Sequence, residues 1–331
     1  MATNTSKAAP ERPEKRLQDT ENQSLISDDS DPSTSSESKS SWRSSLFLNE
    51  RGLRAGWRFV LFLILLRLVL IPMVFVAAKP FRHLLESRVG DISDALLFLC
   101  ILLGTLIMSK VERRSMLSYG LRDSVALSRL FAGSLIGFAS LSLMLLGLRA
   151  THHLVFGPRY LGGSQLLMAA LLNLLGFLIV ALFEENAFRG YALHTLTEGI
   201  GFWPAAIVMA LLFAALHVQN PGESEVGIAA VFAFGMMLAF SLWRTGTLLW
   251  AIGFHFMWDY SESFLYGVPD SGLVQPEHLL STHLSGPAWI TGGSVGPEGS
   301  WFIFVLLGVV ALIIHFLHPH NKFSPGHRVI G

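Results

Sequence analysis

Six side chains in this sequence have types and spacings suited to activating water. They are Glu184, Glu185 and Arg189 in "FEENAFRGYALH", His217 at the end of "FAALH", and His255 and Asp259 in "HFMWD". Glu185 and Arg189 are four residues apart, so on a helix they share a face and can pair. Glu184 lies about 100° around the helix from Glu185. Arg189 can therefore neutralise Glu185 and leave Glu184 available for another task. His255 and Asp259 are also four apart and share a face. Singly, each group has a plain structural explanation: an interfacial ion pair, a capping imidazole, a hydrogen-bonded pair. Together, two carboxylates, two imidazoles and a third carboxylate resemble a hydrolytic site that activates water.

The elements that must position these groups are apolar. Half of the 331 residues are hydrophobic (51%) and only 15% are charged, which is not the composition of a soluble globular chain. Mean hydropathy is +0.50. Several stretches approach the ~20 apolar residues needed to cross a hydrocarbon core. The sequence predicts an all-α, polytopic membrane protein with about eight transmembrane helices, at roughly 57–78, 93–109, 128–148, 165–186, 201–218, 226–243, 247–266 and 301–317. No internal repeat stands out. Ionisable groups inside such spans are costly and usually face a protein interior or a water-filled cavity. Residues 1–50 are different in kind, rich in serine and acidic residues, and read as a disordered cytoplasmic tail ahead of a helical domain over 51–331. The tail has no apolar segment of signal-peptide type. Cys100, the single cysteine, lies in an apolar run and reads as a packing residue, so no intrachain disulfide is available.

Orientation follows from the distribution of basic residues. Arg51, Arg54 and Arg58 precede the first span, Lys110, Arg113, Arg114, Arg122 and Arg129 lie between the second and third, and Lys322 and Arg328 follow the last. The 267–300 connection, rich in glycine, proline and serine, has no lysine or arginine and should be largely irregular. These features predict both termini in the cytoplasm and 267–300 outside, in a multi-pass protein of the cell membrane. Lys79, Arg82, Arg88, Arg149 and Arg159 run against this assignment.

Depth offers a further test of whether the polar groups meet. A turn is predicted near Gly199-Ile200-Gly201, and if the fourth helix runs on to it, Glu184 and His217 are equally far from that turn on antiparallel helices. At ~1.5 Å per residue His217 lies about 24 Å from it, and His255 about 13 Å past Gly246. Helix tilt would have to close that difference for one shared site to form.

The three motifs also resemble a known family. "EENAFRG" fits EExxxR, "FAALH" fits FxxxH and "HFMWD" fits HxxxN/D, in that order and each on an apolar span. Over a core at about 165–265 the chain is similar to the CPBP family of intramembrane proteases, which includes CAAX prenyl endopeptidases and bacterial Abi or bacteriocin-processing proteins. The resemblance implies an eight-helix fold with its site inside the membrane. It implies Glu184 as the base that activates water, with His217, and Glu185 in support with Arg189 as partner. His255 and Asp259 would stabilise the oxyanion or complete the site. The last motif position is often Asn in the family and is Asp here. The family is commonly called metalloprotease, and Glu184, His217 and His255 are acceptable zinc ligands; a metal-free glutamate mechanism stands beside that reading.

The expected activity is an endopeptidase acting on membrane-associated or CAAX-like proteins, with membrane lipid and a protein or peptide substrate as partners and no nucleic acid. Two other classes compete. One is a non-enzymatic immunity or scaffold protein of the same fold, against which the complete motifs argue. The other is an ion-coupled transporter, which would usually show broken helices or repeated halves. Other intramembrane protease types fit less well, since HExxH, GxSG and GxGD are all absent from the sequence.

Overall fold

The computed structural model describes residues 47–49, 52–80 and 89–323; of the expected tail over 1–50 all but 47–49 lies outside the described residues, and Leu48–Asn49 there forms a strand. Helices occupy all eight predicted spans. They are α1 (Ala55–Ala78), α2 (Val89–Val111), α3 (Ala126–Ala150), α4 (Gly163–Arg189), α6 (Phe202–His217), α7 (Glu225–Thr245), α8 (Leu249–Asp259) and α9 (Phe302–Leu317), while α5 (Tyr191–Ile200) lies between the fourth and fifth predicted spans. Among the described residues, Ala55–Ala78, Ile92–Val111, Ala126–Ala150, Gly163–Ile200 and Glu225–Thr245 are long and apolar enough to cross a membrane, and α6 and α9 are shorter apolar helices. The protein is an all-α membrane protein. Its few strands are two-residue ladders: β1 (Leu48–Asn49) with β2 (Gly52–Leu53), and β3 (Leu154–Val155) with β4 (His283–Leu284), both antiparallel. Large apolar side chains such as Leu68, Leu127, Phe131 and Phe316 remain exposed, as lipid-facing residues should be.

Two helices depart from ideal winding, each for a local reason. In α1 the turn Leu65–Leu70 is π-helical immediately before Pro72, whose ring removes an amide donor and crowds the preceding turn. α8 continues as a π-helical turn, Tyr260–Tyr266, that ends at Gly267 in the left-handed region (φ +64). The fourth helix does not run on unbroken to the predicted turn. It stops at Gly190 (φ −78, ψ −127), where a Cβ would meet the Asn186 carbonyl oxygen at 2.3 Å. The chain then resumes as α5 and turns at Gly201 (φ +83), within the predicted three-residue turn.

One end of the bundle is closed by a buried ionic network. Arg58 of α1 pairs with Glu112 at 2.8 Å and with Glu198 of α5 at 2.5 Å, and Arg114 pairs with Glu198 as well. Tyr191 donates to Glu112 Oε1 at 2.5 Å and Tyr119 to Glu112 Oε2 at 3.3 Å. Arg58 and Arg114, counted above as basic residues flanking spans, are thus neutralised by two glutamates, and the break at Gly190 is anchored from below. At this end the Leu248 amide donates to Gly120 O and the Lys322 amide to Trp243 O. At the other end β3 pairs with β4 and Ser294 Oγ donates to Gly222 O, so the 267–300 segment covers that end. That segment is mainly irregular, with one helical turn at Ala288–Thr291 and a tighter one at Pro297–Gly299.

The closest helix crossing is between α3 and α8. A Cβ on Gly133 would meet Trp250 O at 2.1 Å, one on Gly137 would meet Phe254 O at 2.3 Å, and one on Gly253 would meet Leu130 O at 2.1 Å. Without a hydrophobic driving force between helices in lipid, backbone approach over small residues is what packs them. The crossing fixes the helix that carries His255.

Candidate active site

α4 delivers the two glutamates to different surroundings. The Glu185 side chain is 0% exposed and that of Glu184 is 19% exposed, so only Glu184 is open to water. Glu185 Oε1 accepts from Arg189 Nη1 at 3.1 Å, the pair expected from the spacing. Room for Arg189 comes from α7, where Gly235 would bring a Cβ within 3.0 Å of Arg189 Nη2. On the other side the guanidinium lies 4.5 Å from the ring centroid of Phe213 on α6, a cation–π contact that also shields the charge. Phe213, the first residue of the FxxxH motif, is thus part of the site's floor. Its ring also meets His217 (4.7 Å) and His255 (6.3 Å) edge-on.

His255 is the hub. Its Nδ1 donates to Glu185 Oε1 at 3.0 Å, and its Nε2 lies 3.5 Å from Glu184 Oε2 and 3.3 Å from Asp259 Oδ2. The contact with Glu185 was not expected from spacing, because it joins α4 to α8 across 70 residues of sequence. Such a carboxylate behind an imidazole fixes its orientation and tautomer. His217 donates from Nδ1 to Phe213 O at 2.9 Å, which leaves Nε2 as an acceptor in the neutral ring.

A cavity of about 890 Å³ unites the groups. Glu184, His217, His255 and Asp259 all line it, together with Asn173, Phe213, Asp270 and Glu298. Glu185 and Arg189 stand behind its wall. The structure thus brings four of the six sequence-derived residues to one wet surface and uses the other two to hold it. The donor atoms of Glu184, His217 and His255 do not gather within 4.8 Å of one another.

A second acidic group was missed. Glu262, Asp270 and Glu298 bring one carboxylate oxygen each within 4.8 Å of the others, the only such set of three among the described residues. Burial, with Glu298 beside it, pushes the Asp270 carboxyl up to about 8. Glu262 carried a signal, being an acidic residue without an obvious partner inside the seventh predicted span. Asp270 and Glu298 lie in a loop whose folding could not be read from pattern.

Comparison with known proteins bears on the same helices. No curated protein matches the chain. Residues 165–261 match the model of a protein family described as type II CAAX prenyl endopeptidase, Rce1-like. The matched segment holds all six residues of the EExxxR, FxxxH and HxxxD motifs and ends before Glu262. The match supports membrane endopeptidase as the general class, and through this segment the chain is similar to the CPBP family of intramembrane proteases.

Proposed function

We propose that the protein is an intramembrane endopeptidase in which Glu184 activates water for attack on a peptide bond of a membrane-associated or CAAX-like substrate. The observation that carries this reading is the Glu185–His255–Glu184/Asp259 arrangement at the wall of the cavity. Glu184, the water-accessible carboxylate, takes a proton from water as the oxygen attacks the scissile carbonyl. The oxyanion of the tetrahedral intermediate is met by His255, held in place by Glu185 and Asp259, while His217, whose Nε2 is left as an acceptor, helps Glu184 to hold the attacking water. Glu184 then returns the proton to the departing nitrogen, giving a carboxylic acid and an amine. Arg189 pairs with Glu185, so that Glu185 serves to orient the imidazole.

Glutamate and histidine are ligand types that zinc accepts. The donor atoms of Glu184, His217 and His255 do not converge on a common point, however, and the reaction as written uses only the chain's own groups. The same reading puts both termini in the cytoplasm and the 267–300 segment outside, because that segment has no lysine or arginine. Comparative membrane proteomics of wild-type cells and a Glu184→Gln strain tests the function. C-terminal or internal cleavage products should vanish in the variant, and identical product sets in the two strains would refute the assignment.

A further inference from the structure

We infer that Glu262, Asp270 and Glu298 form a site for a hard divalent cation of the calcium class, which fastens the 267–300 segment to the outer turn of α8. Nothing in this inference depends on the protease reading.

The first observation is convergence. One oxygen from each of the three carboxylates lies within 4.8 Å of the other two. Oxygens so spaced can reach a common ion at about 2.3–2.6 Å, the calcium–oxygen range. The donors are all carboxylate, the hard type that suits calcium, magnesium or manganese rather than zinc. Three carboxylates at variable angles suit calcium's flexible coordination better than the strict octahedron of magnesium.

The second observation is a missing partner. Glu262 is 0% exposed, and neither of its carboxylate oxygens has a hydrogen-bond partner of normal geometry, the indole N–H of nearby Trp258 going to Glu298 instead. A buried carboxylate with neither a donor nor a counter-ion is among the most costly groups a protein can hold. No lysine or arginine among the described residues pairs with any of the three. The two neighbours, by contrast, are oriented. Glu298 accepts from Trp258 Nε1 at 2.7 Å, from Ser271 Oγ at 2.7 Å and from the Ser271 amide at 3.1 Å. Asp270 accepts from Ser263 Oγ at 2.9 Å. These donors fix two carboxylates and leave the third facing them unsatisfied, as a ligand set prepared for a cation would be. Access exists too: Asp270 and Glu298 line the large cavity, with Glu262 behind them.

The test uses the full-length protein in detergent after treatment with a chelator. Calcium chloride should raise the unfolding temperature saturably, on the order of 5 °C well above the dissociation constant. Equilibrium dialysis with radioactive calcium should find about one ion per chain, with a dissociation constant on the order of 1 mM or below. Glu262→Gln should abolish both effects and, without calcium, be at least as stable as wild type, since it replaces an unpartnered buried carboxyl with a neutral amide. Asp270→Asn is the second variant, should the first fail to fold. Glu184→Gln should bind as wild type does. Absence of saturable binding up to about 10 mM calcium, binding that survives in Glu262→Gln or Asp270→Asn, or binding lost in Glu184→Gln would each overturn the assignment.

Discussion

Glu185 and His255 share one carboxylate oxygen with Arg189: Glu185 Oε1 lies 3.0 Å from His255 Nδ1 and 3.1 Å from Arg189 Nη1. A single buried atom therefore holds both the guanidinium that pairs with it and the imidazole that works in the cavity. Its neighbour in sequence, Glu184, meets the other ring nitrogen of His255, Nε2, at 3.5 Å and is the more exposed. Adjacent glutamates thus have opposite duties, and mutation should separate them.

Glu184→Gln is expected to lower cleavage at least ~100-fold, the lower end of what a positioned general base contributes, with yield and thermal unfolding close to wild type. Glu185→Gln should lose both activity and stability, because breaking a buried pair by removing one partner costs about 3–5 kcal/mol. Parallel cleavage assays and thermal unfolding in detergent check this. An equal loss of stability in the two variants would remove the distinction.

Asp259 sits one helical turn from His255, with Oδ2 3.3 Å from Nε2. If it orients the ring by hydrogen bonding, an amide of the same shape should serve. Asp259→Asn is expected to keep at least roughly a tenth of the activity, while Asp259→Ala should lose ~100- to 1,000-fold, as removal of an oxyanion-stabilising donor does. Assays of both variants with and without added zinc decide the matter. An inactive Asn variant restored by zinc would point to a metal-bound carboxylate instead.

The α3–α8 crossing should be intolerant of even one methyl group. At Gly137 a Cβ would meet a backbone oxygen at 2.3 Å, which no side-chain rotation relieves. Gly137→Ala should cost about 1–3 kcal/mol through overpacking and displace His255, lowering activity as well. Gly147→Ala, on the same helix with open space around the added Cβ, is the control. Matching unfolding temperatures for the two variants would show that the crossing can relax.

The orientation is tested with a single thiol. Cys100 is buried, and Cys100→Ala removes it as a competing thiol. In that background Ser285→Cys, at an exposed position of the 267–300 segment, should react with an impermeant thiol reagent on intact cells, and Ser115→Cys should not. Labelling in the reverse sense would invert the topology and the side from which water and substrate enter.

The sequence was most informative where chemistry and helical period coincide. Glu185 with Arg189 and His255 with Asp259 follow from a spacing of four, and hydrophobic runs locate the eight apolar helices but not α5. What it could not supply were relations across helices. That His255 Nδ1 turns toward Glu185 depends on the α3–α8 crossing, and Gly133, Gly137 and Gly253 reveal their part only when the opposing carbonyls are in place. The break at Gly190 was missed because helical periodicity carries no mark of a single glycine set at an unusual ψ. Glu298 was missed because its partners, Trp258 and Ser271, are brought to it by an irregular loop.

The ionic network at the base of the bundle bears on what can be moved or inherited as a unit. Glu198 lies inside the segment that matches the endopeptidase family, while both arginines that neutralise it, Arg58 and Arg114, lie outside. The glycines of α3 that seat the His255 helix are outside as well. The stretch that carries the chemistry is therefore smaller than the stretch that folds. Excised on its own, it would expose a stranded carboxylate and an unpacked helix face. A graft of this centre onto another membrane scaffold would have to bring α1, the α2–α3 turn and α3 with it.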